Sequence, residues 1–237
     1  MLSQKIKDAD TDSLITGAHQ LKIYTPEFMM YVNFNERDSL AAFGIGTYML
    51  NSRGLTENVI YSASDSVIQT DPASYNLGIE VTPTGYKQII GEIMMGGNPY
   101  ELTEEYENVS MEETSPLDGA WKLVRIFDVI DGDTSVYEMT QYKTYHTGHF
   151  MYGFTFLDST GKPHTGMGYG NFEMLGDNKV REVVTVSTYN IVGRTFDIDL
   201  IFDGPDNYTQ IITDSTGDKN VEVYVSMTAR GQDSAKR

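Results

Sequence analysis

The chain has 237 residues, with 34 acidic against 17 basic side chains for a formal net charge of −17, 40% hydrophobic residues and no cysteine. That charge repels phosphate backbones and anionic lipid, which argues against nucleic acid as a partner, and the missing thiols exclude disulfides, thiolate nucleophiles and zinc–thiolate sites. No run of about 18 apolar residues offers a membrane span, and Met1 to Ser13 lacks the apolar core of a signal peptide, so the expectation is a cytoplasmic protein or a mature or truncated form.

Met1 to Ser13 reads as a polar lead. From Leu14 onward, short runs of β-branched and aromatic residues broken by Gly, Asn and Asp predict strands over 23–34, 44–50, 55–62, 74–81, 86–94 and 100–107. Asn35 to Asp38, Asn51 to Gly54 and Thr84-Gly85 read as turns. The spacing is that of hairpins, with no stretch long and periodic enough for a crossover helix, and it predicts an antiparallel meander. An acidic linker lies within Asn108 to Pro116, and Leu117 then opens a strand that carries the only tryptophan, Trp121. Further strands are predicted over 135–156, 166–175, 180–187, 194–202, 208–213 and 221–228, before a frayed tail from Arg230 to Arg237.

The two series are copies. Gln20 to Phe34 (QLKIYTPEFMMYVNF) reads against Gln141 to Phe156 (QYKTYHTGHFMYGFTF), with Phe28-Met29 on Phe150-Met151 and Phe34 on Phe156, each 122 residues apart (150 − 28). Downstream, Gly44 to Tyr48 reads against Gly168 to Phe172, Glu57 against Glu182, Tyr86 to Ile90 against Tyr208 to Ile212, and Glu104 and Tyr106 against Glu222 and Tyr224. A long period repeated twice means two copies of one domain rather than a solenoid. The expected division is a first unit at 1–109, a linker at 110–116, a second unit at 117–230 and a tail at 231–237. Each unit is predicted to be a small antiparallel up-and-down β-barrel. No counterpart of the Trp121 strand exists in the first copy, so its barrel is expected to be incomplete, closed by Met1 to Leu14, by its twin or by another chain.

Gly119-Ala120-Trp121 resembles the G-x-W opening of lipocalins. With Lys143, His149-Phe150-Met151, Gly168 to Phe172, Glu182, Tyr208-Thr209-Gln210 and Glu222-Val223-Tyr224, the chain is similar to a bacterial lipocalin-like (calycin) domain family. In that family a Lys, a His-Phe pair, a Gly-Gly-Thr-Tyr run, a Glu, a Thr-Gln pair and a Glu-x-Trp follow in this order. The likeness covers Leu117 to Arg230 and, more faintly, Leu14 to Val109. It implies a cavity for a small, largely apolar molecule, Trp121 as the plug of the barrel floor, and an exported or periplasmic setting. The first copy departs from it, with Glu27 where the second has His149 and with no G-x-W.

Strand parity supplies a reading independent of the family. Glu222 and Tyr224 share a face, as do Tyr208, Gln210 and Ile212, and Glu182, Val184 and Val186. Turned inward, these faces bring Glu182, Gln210 and Glu222 together in the lumen, with Lys143 and His149 as counter-groups; turned outward, they are ordinary solvated strand residues. Phe150, Tyr152, Phe154 and Phe156 make one face of their strand aromatic, for core or pocket wall. The candidate ligand-binding residues are Lys143, His149, Tyr152, Phe172, Glu182, Gln210, Glu222 and Tyr224. No catalytic set, cofactor or metal site is expected, since His146, His149 and His164 do not share a strand face and Asp128, Asp131 and Asp133 lack the rest of a calcium loop.

Three functions follow. The first is non-catalytic binding or transport of a small hydrophobic molecule in the barrel. The second is a calycin-type enzyme, an isomerase or hydro-lyase, using Glu182 or Glu222 with Lys143 and His149. The third is a protein-interaction module, with homo-oligomerisation through the open first barrel.

Overall fold

A computed structural model describes residues 3–7, 12–15, 18–35, 40–52, 54–64, 67–95, 98–109 and 114–228. The expected tail at 231–237 and most of the expected linker lie outside them. Every element is a strand.

The first sheet contains β1 (Ser3–Lys7), β2 (Asp12–Ile15), β3 (Ala18–Tyr24), β4 (Phe28–Asn35), β5 (Leu40–Asn51), β6 (Gly54–Ser64), β7 (Ile68–Gln69), β8 (Ala73–Val81), β9 (Gly85–Met95) and β10 (Asn98–Glu107). They run in the order β2, β1, β10, β9, β8, β6, β5, β4, β3, with β7 attached to β6. The second contains β11 (Gly119–Ile130), β12 (Asp133–Tyr137), β13 (Thr140–His146), β14 (His149–Leu157), β15 (Pro163–Gly176), β16 (Lys179–Ser187), β17 (Thr195–Phe202), β18 (Asn207–Thr213) and β19 (Lys219–Ser226).

The second sheet closes into a barrel because β11 pairs on both sides. Gly119 to Lys122 lie against β13, while Trp121 to Val129 lie against β19. All its pairings are antiparallel, and β12 forms a hairpin arm on β11. Trp121 is buried, its indole N–H donates to the Leu117 carbonyl at 2.7 Å, and its ring stands edge-on to Tyr208 at 4.8 Å.

The first sheet stays a curled, open half-barrel. In it β1 meets β10 with Gln4 opposite Glu104, as the second half of β11 meets β19 with Ile126 opposite Glu222, and β2 flanks β1 as β12 flanks β11. Among the described residues no stretch plays the part of Gly119 to Lys122, which ties β11 to β13. Among the described residues, neither β1 nor β10 pairs with β3. Of the expected closures, the described part of the N-terminal stretch extends one edge without reaching the other, and the twin packs on a face of the sheet and borders the groove beside β3 and β10.

That face is the main contact between the halves. Met30, Phe43, Ile45 and Tyr61 on the outside of the first sheet pack with Tyr142, Met151 and Met167 on the outside of the barrel. Tyr61 hydrogen-bonds Thr155 through the two hydroxyls at 2.6 Å, and the Thr165 hydroxyl donates to the Ser64 carbonyl at 2.8 Å. Gly153 lies flat beneath the Phe43 ring, where an added Cβ would stand 2.3 Å from Cγ. Gly153→Ala is expected to destabilise the protein by about 1–3 kcal/mol through overpacking, read as a lower urea midpoint; an unchanged midpoint refutes this account of the contact.

Two sequence expectations need correction, both through register. Lys22 opposes Tyr31 and Lys143 opposes Tyr152, so Met30-Tyr31 is the counterpart of Met151-Tyr152. The Phe28 match is thus one residue out of step, and Phe28, not Glu27, occupies the place of His149: Phe28 pairs with Thr47 as His149 pairs with Asn171. The second correction is a bulge at the same point in both copies. Ile45 opposes Tyr61 and Gly46 opposes Val59, leaving Ile60 extra; Tyr169 opposes Val186 and Gly170 opposes Val184, leaving Thr185 extra. The extra residue reverses the strand's parity. Glu182 and Val184 face the lumen, while Val186 faces outward with Tyr169 and Met151. Glycine is required there, since a Cβ would lie 2.0 Å from the Asn58 carbonyl oxygen at Gly46 and 1.9 Å from that of Val183 at Gly170.

Candidate functional site

Strand β13 supplies the centre of the lumen. Its alternation turns Gln141, Lys143 and Tyr145 into the barrel and leaves Tyr142 and Thr144 against the first sheet, which is why nearly the whole strand is buried. The Lys143 ammonium lies 2.7 Å from Glu182 Oε1 and donates to Gln210 Oε1 at 3.1 Å. The Gln210 amide then donates to Glu222 Oε2 at 2.8 Å. Gln141 donates to the same oxygen at 3.3 Å, and the Tyr224 hydroxyl also donates to it. The Tyr145 hydroxyl donates to Glu182 Oε1. Side-chain exposure of Lys143 and Glu182 is 4% and 7%, so the ion pair is shielded from water.

The electrostatics follow from burial. Burial foremost holds the Tyr145, Tyr208 and Tyr224 hydroxyls well above the ordinary tyrosine range, with the neighbouring carboxylates adding to it. These hydroxyls stay protonated and can donate. Burial also raises Glu222, against the pull of the Lys143 ammonium and its hydrogen bonds. Tyr208 lies beside Tyr145, and among the described residues its buried hydroxyl closes no hydrogen bond of good geometry.

A cavity of about 270 Å3 opens over this network. Lys143, Glu182, Gln210 and Glu222 form its polar floor. Tyr152, Phe154, Val184 and Phe196 wall it, and Tyr189 and Ile191, from the connection between β16 and β17, overhang it. Phe150, Tyr152, Phe154 and Phe156 stack along the strand with ring centroids 6.5, 6.3 and 6.4 Å apart. Burial pushes the Tyr152 hydroxyl up to about 12, and it shares a 3.0 Å hydrogen bond with Ser187.

Among the candidates, Lys143, Tyr152, Glu182, Gln210 and Glu222 line the cavity. Tyr224 supports Glu222 from behind. Phe172 is core, edge-on to Tyr145 at 5.0 Å. His149 is not in the cluster: the parity that points Phe150 and Tyr152 inward points it out, where Asn171 bonds its Nδ1 at 3.1 Å. It borders a groove of about 540 Å3 between the halves, with His146 and Asn171 on the barrel side and Tyr24, Tyr86 and Tyr106 opposite. That groove is the larger space, but the barrel brings to it no buried ion pair. Against the expectation that the three histidines share no face, His146 and His149 stand opposite each other across the β13–β14 turn, while His164 lies apart on Asp158 at 2.9 Å; no group of metal ligands forms among the described residues.

Gln141 and Tyr145 are the members of the network that sequence reasoning missed, whereas strand parity sets Tyr208 on the inward face with Gln210. Their signal was present: Gln-x-Lys-x-Tyr occurs in both copies, at Gln20, Lys22 and Tyr24 and at Gln141, Lys143 and Tyr145.

No family model and no curated protein matches the chain. Among solved structures it is similar to a redesigned β-barrel, at 16% identity and a TM-score of 0.31 over 47% of this chain and 92% of the other. It is also similar to the redesigned β-barrel mFAP0 bound to DFHBI, at 20% identity and a TM-score of 0.30 over 47% and 99%. Neither likeness is strong enough to carry an argument about function.

Proposed function

We propose that the closed barrel binds a small, largely apolar molecule by a hydrogen-bond-donating end, best an ammonium, and releases it unchanged. One observation carries this reading. Buried Glu182 and half-buried Glu222 are set against a single buried ammonium, and each keeps an oxygen for the cavity: among the described residues every hydrogen bond to Glu222 ends on Oε2, and the contacts to Glu182 end on Oε1. A site with acceptors in excess and one negative charge more than it can pair recognises a donor, and the aromatic walls fit an apolar body.

A naphthylmethylamine, the matching naphthylmethanol and naphthoate test it by calorimetry. The amine is expected to bind tightest and naphthoate not at all; equal binding of all three, or none of the amine, overturns the reading. Binding of a cation favours ionised Glu222, whose folded value is raised by burial. Amine affinity is therefore expected to rise with pH through the titration of Glu222 and to be accompanied by proton release. A flat pH profile in calorimetry contradicts the role of Glu222.

The isomerase or hydro-lyase alternative keeps Glu222 as a candidate base, because a carboxyl with a raised value is the kind general-base catalysis uses. It loses His149. Turnover of a bound amine that disappears in Glu222→Gln would establish it.

A further inference from the structure

The first sheet carries the same constellation, residue for residue. The Lys22 ammonium donates to both oxygens of Glu57, Oε1 at 3.0 Å and Oε2 at 3.3 Å, where Lys143 meets Glu182 at Oε1, and to Gln88 Oε1 at 3.1 Å; the Gln88 amide donates to Glu104 Oε2 at 3.0 Å, and the Tyr106 hydroxyl donates to that oxygen at 2.7 Å. Tyr24 donates to Glu57 at 2.6 Å, as Tyr145 does to Glu182. Glu57, Gln88 and Glu104 are all buried, and the Lys22 side chain is 4% exposed. A cavity of about 190 Å3 opens over them, so the polar floor survives although the barrel is open.

An open sheet has no need of a buried ion pair for its own stability. Removing a lysine and two glutamates from water is costly, and apolar residues of similar volume would serve packing as well or better. We infer that the cup of the first sheet is a second ligand site for an ammonium, and that the chain is bivalent. The inference rests on the reading of the barrel as an amine site, which supplies the chemistry of the shared floor.

The walls set the difference between the two. Asn33, opposite Gln20, stands where Phe154 stands opposite Gln141, and Tyr75, opposite Glu57, stands where Phe196 stands opposite Glu182. Among the described residues, the overhang of Tyr189 and Ile191 has no counterpart over the cup. With an amide and a phenol replacing two phenyl rings and with a smaller volume, the cup takes a compact ammonium that carries a second polar group. The barrel takes the more apolar one.

Isothermal titration of the full chain with tyramine and with naphthylmethylamine tests this through matched substitutions. Ile90 and Ile212 are counterparts in the two walls. Tyramine is expected to occupy two sites in the unaltered chain and one in Ile90→Phe, while naphthylmethylamine binds once and is lost in Ile212→Phe. Each substitution carries its own folding control, since Ile90→Phe is expected to keep the naphthylmethylamine site and Ile212→Phe to keep one tyramine site. A single tyramine site that Ile212→Phe abolishes and Ile90→Phe spares overturns the second site and leaves the barrel reading intact. No binding of either amine overturns both.

Discussion

Replacing Lys143 with Met is expected to lower folding stability by about 3–5 kcal/mol, the usual consequence of removing one partner from a buried ion pair. The ammonium is what lets Glu182 and Glu222 share one closed lumen, and methionine fills its volume without its charge. Stripped of it, Glu222, already raised by burial and now without the pull of the ammonium, keeps its place only by taking up a proton. The loss is therefore largest at neutral pH and shrinks in acid, a pattern opposite to that of an ordinary protein losing its surface ion pairs. Urea midpoints in mildly acidic and neutral buffer read this directly. Adding Glu182→Gln to Lys143→Met removes the stranded charge and is expected to restore part of the stability, because a network emptied at both ends costs less than one broken in the middle. A single variant as stable as the parent at neutral pH would mean that the lumen is wet and the pair screened.

Much of this arrangement is legible in the amino-acid sequence, and the parts that are not have physical causes. The meander and the two copies follow from strand spacing and repeated letters. Glu182, Gln210 and Glu222 converge because side chains alternate along a strand, and their counterparts Glu57, Gln88 and Glu104 converge for the same reason. Val186 escapes that logic because the extra Thr185 reverses the parity of β16 partway along, and nothing in the run EVVTVS marks a bulge. The slip at Phe28 arises because matching letters favour one register while period two favours another. A slip of one residue moves every side chain to the opposite face, so it matches Phe28 to the buried Phe150 instead of the outward His149. His149 enters the expected site with the family's Lys and His-Phe series, although the alternation that turns Phe150 and Tyr152 inward turns it out. Tyr189 and Ile191 lie in a connection, and its course over the mouth of the barrel depends on tertiary packing that no local pattern records.

Glu222→Gln is expected to weaken amine binding by about ten- to a hundredfold, the equivalent of losing a hydrogen bond to a charged group, while making the empty protein more stable at neutral pH. The two effects have one origin. Burial raises the folded-state value of Glu222 above its unfolded value, so its contribution to stability is fully kept below the unfolded value and declines as pH climbs through the folded one. A glutamine has no proton to lose and escapes that decline. Its amide oxygen can replace Oε2 as acceptor for Gln141, Gln210 and Tyr224, and its NH2 group then faces the cavity in place of a free oxygen. That group repels an ammonium. The unaltered chain and the variant should unfold at the same urea concentration in acid and diverge as pH rises, with the variant the more stable. A site kept at the expense of stability is the signature of selection for binding rather than for packing. A variant that is no more stable at neutral pH and binds the amine as tightly as the parent would remove Glu222 from the site and return it to the structural core.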